Sequence, residues 1–147
     1  MNDSLVFVDT NLLVYLRDPS EPEKHAVAQD WLSALAAERR ITTSTQVLNE
    51  YFVTVTRKLS QPLSPEEAWL DMESFSVWNP LPVSMATLRL AKEVQSDYQF
   101  SWWDSLIVAS AKQSKSHFLL TEDLTHEQKL GDLTIINPML TELEGLR

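Results

Sequence analysis

Residues 5–11 read LVFVDTN, and the reading of these seven positions decides the fold. Leu5 to Val8 are four consecutive apolar residues with neither helical nor alternating spacing. A short continuous run of this kind fits a strand covered on both faces, as in a parallel sheet. The run stops on Asp9-Thr10-Asn11. Ligands of open α/β sheets bind outside the carboxyl ends of the strands, so a carboxylate at this point sits where chemistry is expected. The pattern returns at 117–123, HFLLTED, where an apolar run stops on Thr121, Glu122 and Asp123. ITT (41–43), LPV (81–83) and LTII (133–136, before Asn137-Pro138) are further strand-like runs.

Helical spacing fills the intervals. PEKHAVAQDWLSALAAERR begins at Pro22, and TQVLNEYFVTVTRKL puts Val47, Leu48, Tyr51, Phe52, Val55 and Leu59 on one side. Ser64-Pro65-Glu66-Glu67 is a helix start, with a serine cap, proline in the first position and glutamate three residues on. That helix runs to about Trp78, where Asn79-Pro80 stops it, and SMATLRLAKEVQSDY (84–98) is another amphipathic helix. YQFSWWDSLIVASAKQ (98–113) is a helix capped by Ser101 and apolar on nearly every side, yet it carries Asp104 in its first turn. Strands alternating with helices predict an α/β fold. The expected architecture is an α/β/α sandwich, a mainly parallel central sheet flanked by helices, in one domain over residues 1–147.

Composition narrows the function. A chain of 147 residues is about one domain's length, and 44% hydrophobic residues suffice for a core. The formal net charge of −9 argues against a membrane surface or a nonspecific DNA binder. The absence of cysteine excludes disulfides and thiolate metal sites. No signal peptide and no apolar run approaching the ~20 residues of a bilayer span are visible, so a soluble cytoplasmic protein is expected.

Two further acids can reach the strand ends. Glu50 lies just off the rim of its helix's apolar face, at roughly 100° per residue. Asp104 shares the S-x-x-D spacing of a capping box with Ser101; burying it is costly unless it is paired or metal-bound, so it is a cap, a ligand or both. Taken singly, each acid has an ordinary explanation: Asp9 and Asp123 as cap or turn residues, Glu50 as a solvated helix residue, Asp104 as a capping acid. Together at one sheet edge they would repel strongly, an arrangement that bound cations neutralise. Carboxylates and water suit hard ions such as Mg²⁺ or Mn²⁺.

VFVDTNLLVYL, TSTQVLNEYFVTVTRK, YQFSWWDSLIVASAKQ and LLTEDLTHEQKLGDLTIINP resemble, in order and spacing, the four signature blocks of PIN-domain ribonucleases, most closely the VapC-type toxins of bacterial toxin–antitoxin pairs. The resemblance places the family's metal-binding and catalytic acids on Asp9, Glu50, Asp104 and Asp123. It places supporting polar residues on Thr10, Asn11 and Thr121, and makes Trp102-Trp103 a bulky version of the family's aromatic-before-Asp pattern. It implies Mg²⁺- or Mn²⁺-dependent endoribonuclease activity leaving a 5′-phosphate and a 3′-hydroxyl. A structured RNA such as a tRNA is the implied substrate, with a cognate antitoxin and a second copy of the chain as partners. Arg39-Arg40, Arg57-Lys58 and Lys112/Lys115 are candidate phosphate contacts, each also explicable as a solvated helix end. His25, His117 and His126 read as structural or solvated, and Trp69, Phe75 and Trp78 as core, with a partner surface as the alternative. Three other functions compete. A Mg²⁺-dependent phospho-acceptor module needs a lysine soon after the late strand, and none follows TED before Lys129. An Asp-x-Asp phosphohydrolase lacks its second carboxylate at Asn11. A non-catalytic RNA- or protein-binding PIN-like domain would tolerate Asp9→Asn.

Overall fold

The computed structural model describes residues 4–146. Among them the order is β1 (Val6–Val8), α1 (Thr10–Tyr15), α2 (Pro22–Ala37), β2 (Ile41–Thr42), α3 (Thr45–Arg57), α4 (Pro65–Phe75), α5 (Met85–Tyr98), α6 (Trp102–Gln113), β3 (Phe118–Leu120), β4 (Lys129–Leu130) and β5 (Leu133–Ile136), with short 3₁₀ turns at Ser76–Trp78 and Leu143–Leu146. The strands form one sheet in the order β2-β1-β3-β5-β4. β1 runs parallel to both β2 and β3, and β3 runs parallel to β5. The α/β fold with a mainly parallel sheet is therefore the observed one.

Val6, Phe7 and Val8 are fully buried, as their unbroken apolar run requires. They centre a core shared with Leu12 and Leu13 of α1, Leu35 of α2, Val47, Tyr51 and Val55 of α3, and Leu119, Leu120 and Ile135 of the neighbouring strands. Burying each such side chain contributes roughly 1.5–3 kcal/mol. No helix among the described residues is long and apolar enough to cross a membrane.

The helix starts follow their serines. Ser44, Ser64, Ser84 and Ser101 each accept a hydrogen bond from the backbone three residues on, and at Ser64 the glutamate Glu67 returns it, completing the box. The all-round apolar character of α6 also has a simple cause. Ser105 to Ala111 are buried because α6 packs on α5 and on β3. The first turn projects beyond this packing, which leaves Asp104 half-buried and Trp103 64% exposed.

Two details differ from expectation. LPV is no strand: Leu81 makes a single parallel bridge to Ser44. An unexpected two-residue strand, β4, pairs antiparallel with β5 across the two-residue turn Gly131-Asp132. Gly131 there has φ of +69°, a conformation glycine adopts without strain.

Candidate active site

Parallel pairing brings the ends of β1 and β3 side by side. Val8 is in register with Leu120, so the next residues, Asp9 and Thr121, meet. The Asp9 amide donates to the Leu120 carbonyl at 3.0 Å, and the Thr121 hydroxyl donates to Asp9 Oδ2 at 2.8 Å. Asp9 Oδ1 accepts the Thr10 amide at 2.7 Å, which also caps α1. Both carboxylate oxygens are thus fixed, and Asp9 is only 6% exposed.

Thr121 extends the network. Its hydroxyl oxygen accepts the Asp123 amide at 3.1 Å and the Asn11 side-chain amide at 3.3 Å. The same Asn11 amide donates to Asp123 Oδ2 at 2.9 Å. From the other side, the Thr10 hydroxyl donates to Glu50 Oε2 at 2.8 Å and Gln46 Nε2 donates to Glu50 Oε1 at 3.0 Å. Asp9, Thr10, Asn11, Gln46, Glu50, Thr121 and Asp123 thereby form one connected assembly. Gln46 was not singled out by sequence; its signal is the i, i+4 spacing to Glu50 on α3, which makes the two neighbours on the helix surface.

Electrostatics ties Asp104 to the group. Burial pushes the Asp9 carboxyl up to about 7; the bonds from Thr10 and Thr121 oppose this, and the charges of Asp123 and Glu50 add to it. The Asp104 carboxyl is likewise raised, first by burial, against the bond from Ser101, and then by the charges of Asp123 and Glu50. None of the four acids forms an ion pair with any described lysine, arginine or histidine.

The donor set is therefore all oxygen, net negative and without a counter-cation among the described residues, the chemistry that suits a hard divalent ion. Asn11 Oδ1 is buried with no hydrogen-bond partner, a spare oxygen within the network. Among the described residues no three His, Asp or Glu side chains stand close enough to form a finished cage. Glu50 and Asp123 are instead held by Thr10, Gln46 and Asn11. The residues fit a divalent cation in type and charge.

Against this geometry, the model of the PIN domain matches residues 6–129, most of the chain. The chain belongs to the PIN-domain family. Solved structures of similar fold include a toxin–antitoxin complex from Klebsiella pneumoniae (TM-score 0.66, 18% identity, covering 92% of this chain and 98% of that one). VapBC2 from Rickettsia felis, bound to a DNA fragment from its promoter, is another (TM-score 0.64, 18% identity, 89% and 96%). VapC20 from Mycobacterium tuberculosis, a sarcin–ricin loop cleaving toxin, is a third (TM-score 0.57, 17% identity, 78% and 86%). No curated protein matches in sequence.

The remaining candidate residues of this PIN domain divide clearly. Arg40, expected at the surface, is buried and donates to the Ser4 carbonyl at 2.8 Å beside Glu38 at 3.1 Å. Lys112 donates to the Leu130 carbonyl at 2.7 Å and so braces the β4–β5 turn. Both side chains are spent on backbone carbonyls of the fold rather than left free for phosphate. Arg39, Arg57, Lys58 and Lys115 are exposed. His25 Nδ1 bonds the Tyr15 carbonyl at 2.9 Å, His126 Nδ1 accepts the Asn137 amide at 3.0 Å, and the His117 side chain is exposed. Phe75 is core, edge-on to Tyr51 and in contact with Trp78. Trp69 departs from the core reading: it is 55% exposed, next to the more exposed Leu70.

Proposed function

We propose that this PIN domain is a Mg²⁺- or Mn²⁺-dependent endoribonuclease and acts as the toxin of a bacterial toxin–antitoxin pair. The observation that carries the reading is the convergence of Asp9, Glu50 and Asp123 in one hydrogen-bonded assembly, with Asp104 coupled to it by charge and, among the described residues, no lysine, arginine or histidine in an ion pair with any of them. A divalent ion bound there supplies positive charge at the scissile phosphate and lowers the pKa of the attacking water.

The chain's own residues do the positioning. Asp9 is the central ligand, and Thr121 and the Thr10 amide fix its two oxygens so that it arrives in one orientation. Glu50 is aimed by Thr10 and Gln46, Asp123 by Asn11, and Asp104 by its place in the first turn of α6. Attack by water leaves a 5′-phosphate and a 3′-hydroxyl. No histidine bonds to the assembly, so proton transfer does not involve imidazole in this scheme.

Substrate and partners follow from charge and surface. With a net charge of −9, nonspecific attraction to phosphate is weak, which suits selection of a folded RNA, such as a tRNA, by its shape. The three structural neighbours, two of them toxin–antitoxin assemblies by description, support a cognate antitoxin. The exposed Trp69 and Leu70 of α4 and Val77 beyond it offer apolar surface, with one aromatic side chain, for contact with that partner. The protein acts in the cytoplasm as a homodimer.

The test is incubation with total cellular RNA plus Mg²⁺ or Mn²⁺, with Asp9→Asn protein in parallel, followed by end mapping. Discrete cuts with 5′-phosphate ends, lost in the variant, are expected. Equal cutting by the variant, or none by the native protein, overturns the reading.

A further inference from the structure

A second feature adjoins the acids. Thr10 and Glu50 also border an open groove of about 870 Å³, within the ~300–1,000 Å³ typical of small-ligand sites. Its walls are of two kinds. Val53, Val83, Leu106 and Trp103 supply apolar lining, Gln46 and Asn49 supply amides, and Lys58 stands among the lining residues. The Trp103 indole, one residue before Asp104, is 64% exposed. Its neighbour Trp102 packs instead with Ala91, Leu106 and Ala109, so the core already has its tryptophan at this helix start. Gln46 adds an independent sign: its Oε1 is buried without a hydrogen-bond partner, while its Nε2 is spent on Glu50.

An exposed aromatic face beside amides and one cation matches the requirements of an unpaired nucleobase, whose ring stacks and whose edge hydrogen-bonds. Charge favours the same ligand. At a net charge of −9, phosphate contacts alone supply little affinity, whereas stacking is indifferent to the sign of the protein. We infer that Trp103 is the platform on which an unpaired base of the RNA stacks, with Gln46 and Asn49 facing its edge and Lys58 a neighbouring phosphate. The acids then receive the phosphodiester next to that base. This rests on the ribonuclease reading and deepens it: the enzyme takes a loop or splayed nucleotide of a folded RNA, not its duplex.

The experiment measures binding by fluorescence anisotropy in the cleavage-blocked Asp9→Asn background. The probes are a labelled RNA stem–loop and the same stem–loop with abasic loop residues. Trp103→Ala should weaken binding of the first about 5- to 150-fold, the ratio for one lost base–aromatic stack, and leave the second unchanged. Trp103→Phe should restore most of the loss. Equal weakening of both probes, or no weakening of either, overturns the inference. So does sedimentation showing that Trp103→Ala merely splits a dimer while binding persists, which would assign the indole to contact between copies. If neither probe binds but the native protein still cuts RNA, the platform alone falls. If RNA is not cut either, the nuclease reading falls with it.

Discussion

At the scale of single residues, the most consequential group is Asp9, buried with its carboxyl raised to about 7. An unfolded aspartate titrates near 3.9. Between these values the folded protein holds a proton that the unfolded chain has released, so stability falls as pH rises. The loss is complete above about pH 7 and is on the order of 4 kcal/mol from this group, at 1.36 kcal/mol per unit. Metal-free Asp9→Asn protein should therefore melt higher than the native chain near pH 8, and the two should converge near pH 4. Thermal melts in chelator check this; a variant that melts lower at both pH values contradicts it. Asp71 behaves in the opposite sense. Burial would raise its carboxyl, but the bidentate bond from Arg17 (2.7 and 2.9 Å) and the Tyr51 hydroxyl (2.5 Å) hold it below the usual range. Its contribution is present above the ordinary carboxylate pKa and is lost as pH falls through the lowered value. Tyr51→Phe, which deletes one of these bonds, should cost about 1.5–3 kcal/mol in denaturant unfolding at neutral pH while leaving cleavage unchanged.

At the scale of elements, most of the fold was legible because its signals are local. The serine caps and the unbroken run of β1 marked boundaries that later packing had no reason to move. β4 was not legible: two residues, Lys129 and Leu130, carry no periodicity, and their pairing is decided by β5 and a turn. The Gly-Asp dipeptide between them was the available sign, since two-residue hairpin loops favour glycine. Gly131→Ala should cost about 1–2 kcal/mol, from the left-handed backbone and the Lys112 Nζ, which stands 3.2 Å from an added Cβ. Helix caps separate stability from function. Ser64→Ala on α4 should lower stability by about 1 kcal/mol without touching cleavage. Ser101→Ala should cost a similar amount and also slow cleavage, because the Ser101 hydroxyl fixes the turn that carries Asp104. Equal cleavage by both variants would separate α6's start from the chemistry.

At the scale of the whole molecule, chain order foretold that acids after parallel strands share one edge, and Asp9 and Asp123 do stand there, joined through Thr121. Contacts between distant side chains were not foretold. Nothing local connects Thr10 to Glu50, Asn11 to Asp123 or Arg17 to Asp71, since each pair is set by how helices land on the sheet. The same landing occupies two of the expected cations, Arg40 and Lys112. With two of the candidate phosphate contacts occupied and a net charge of −9, RNA affinity should fall only shallowly with salt, well short of the steep loss seen with 6–10 phosphate contacts. Titrations of a stem–loop RNA at rising salt measure that slope. The central claim, that acids from four separate segments together hold a divalent ion, is tested most directly by calorimetric titration with Mn²⁺ of native and Asp9→Asn protein, each shown to be folded. Saturable uptake by the native chain and its loss in the variant is the predicted result. A folded native protein that takes up no Mn²⁺, or a variant that takes up as much, contradicts it.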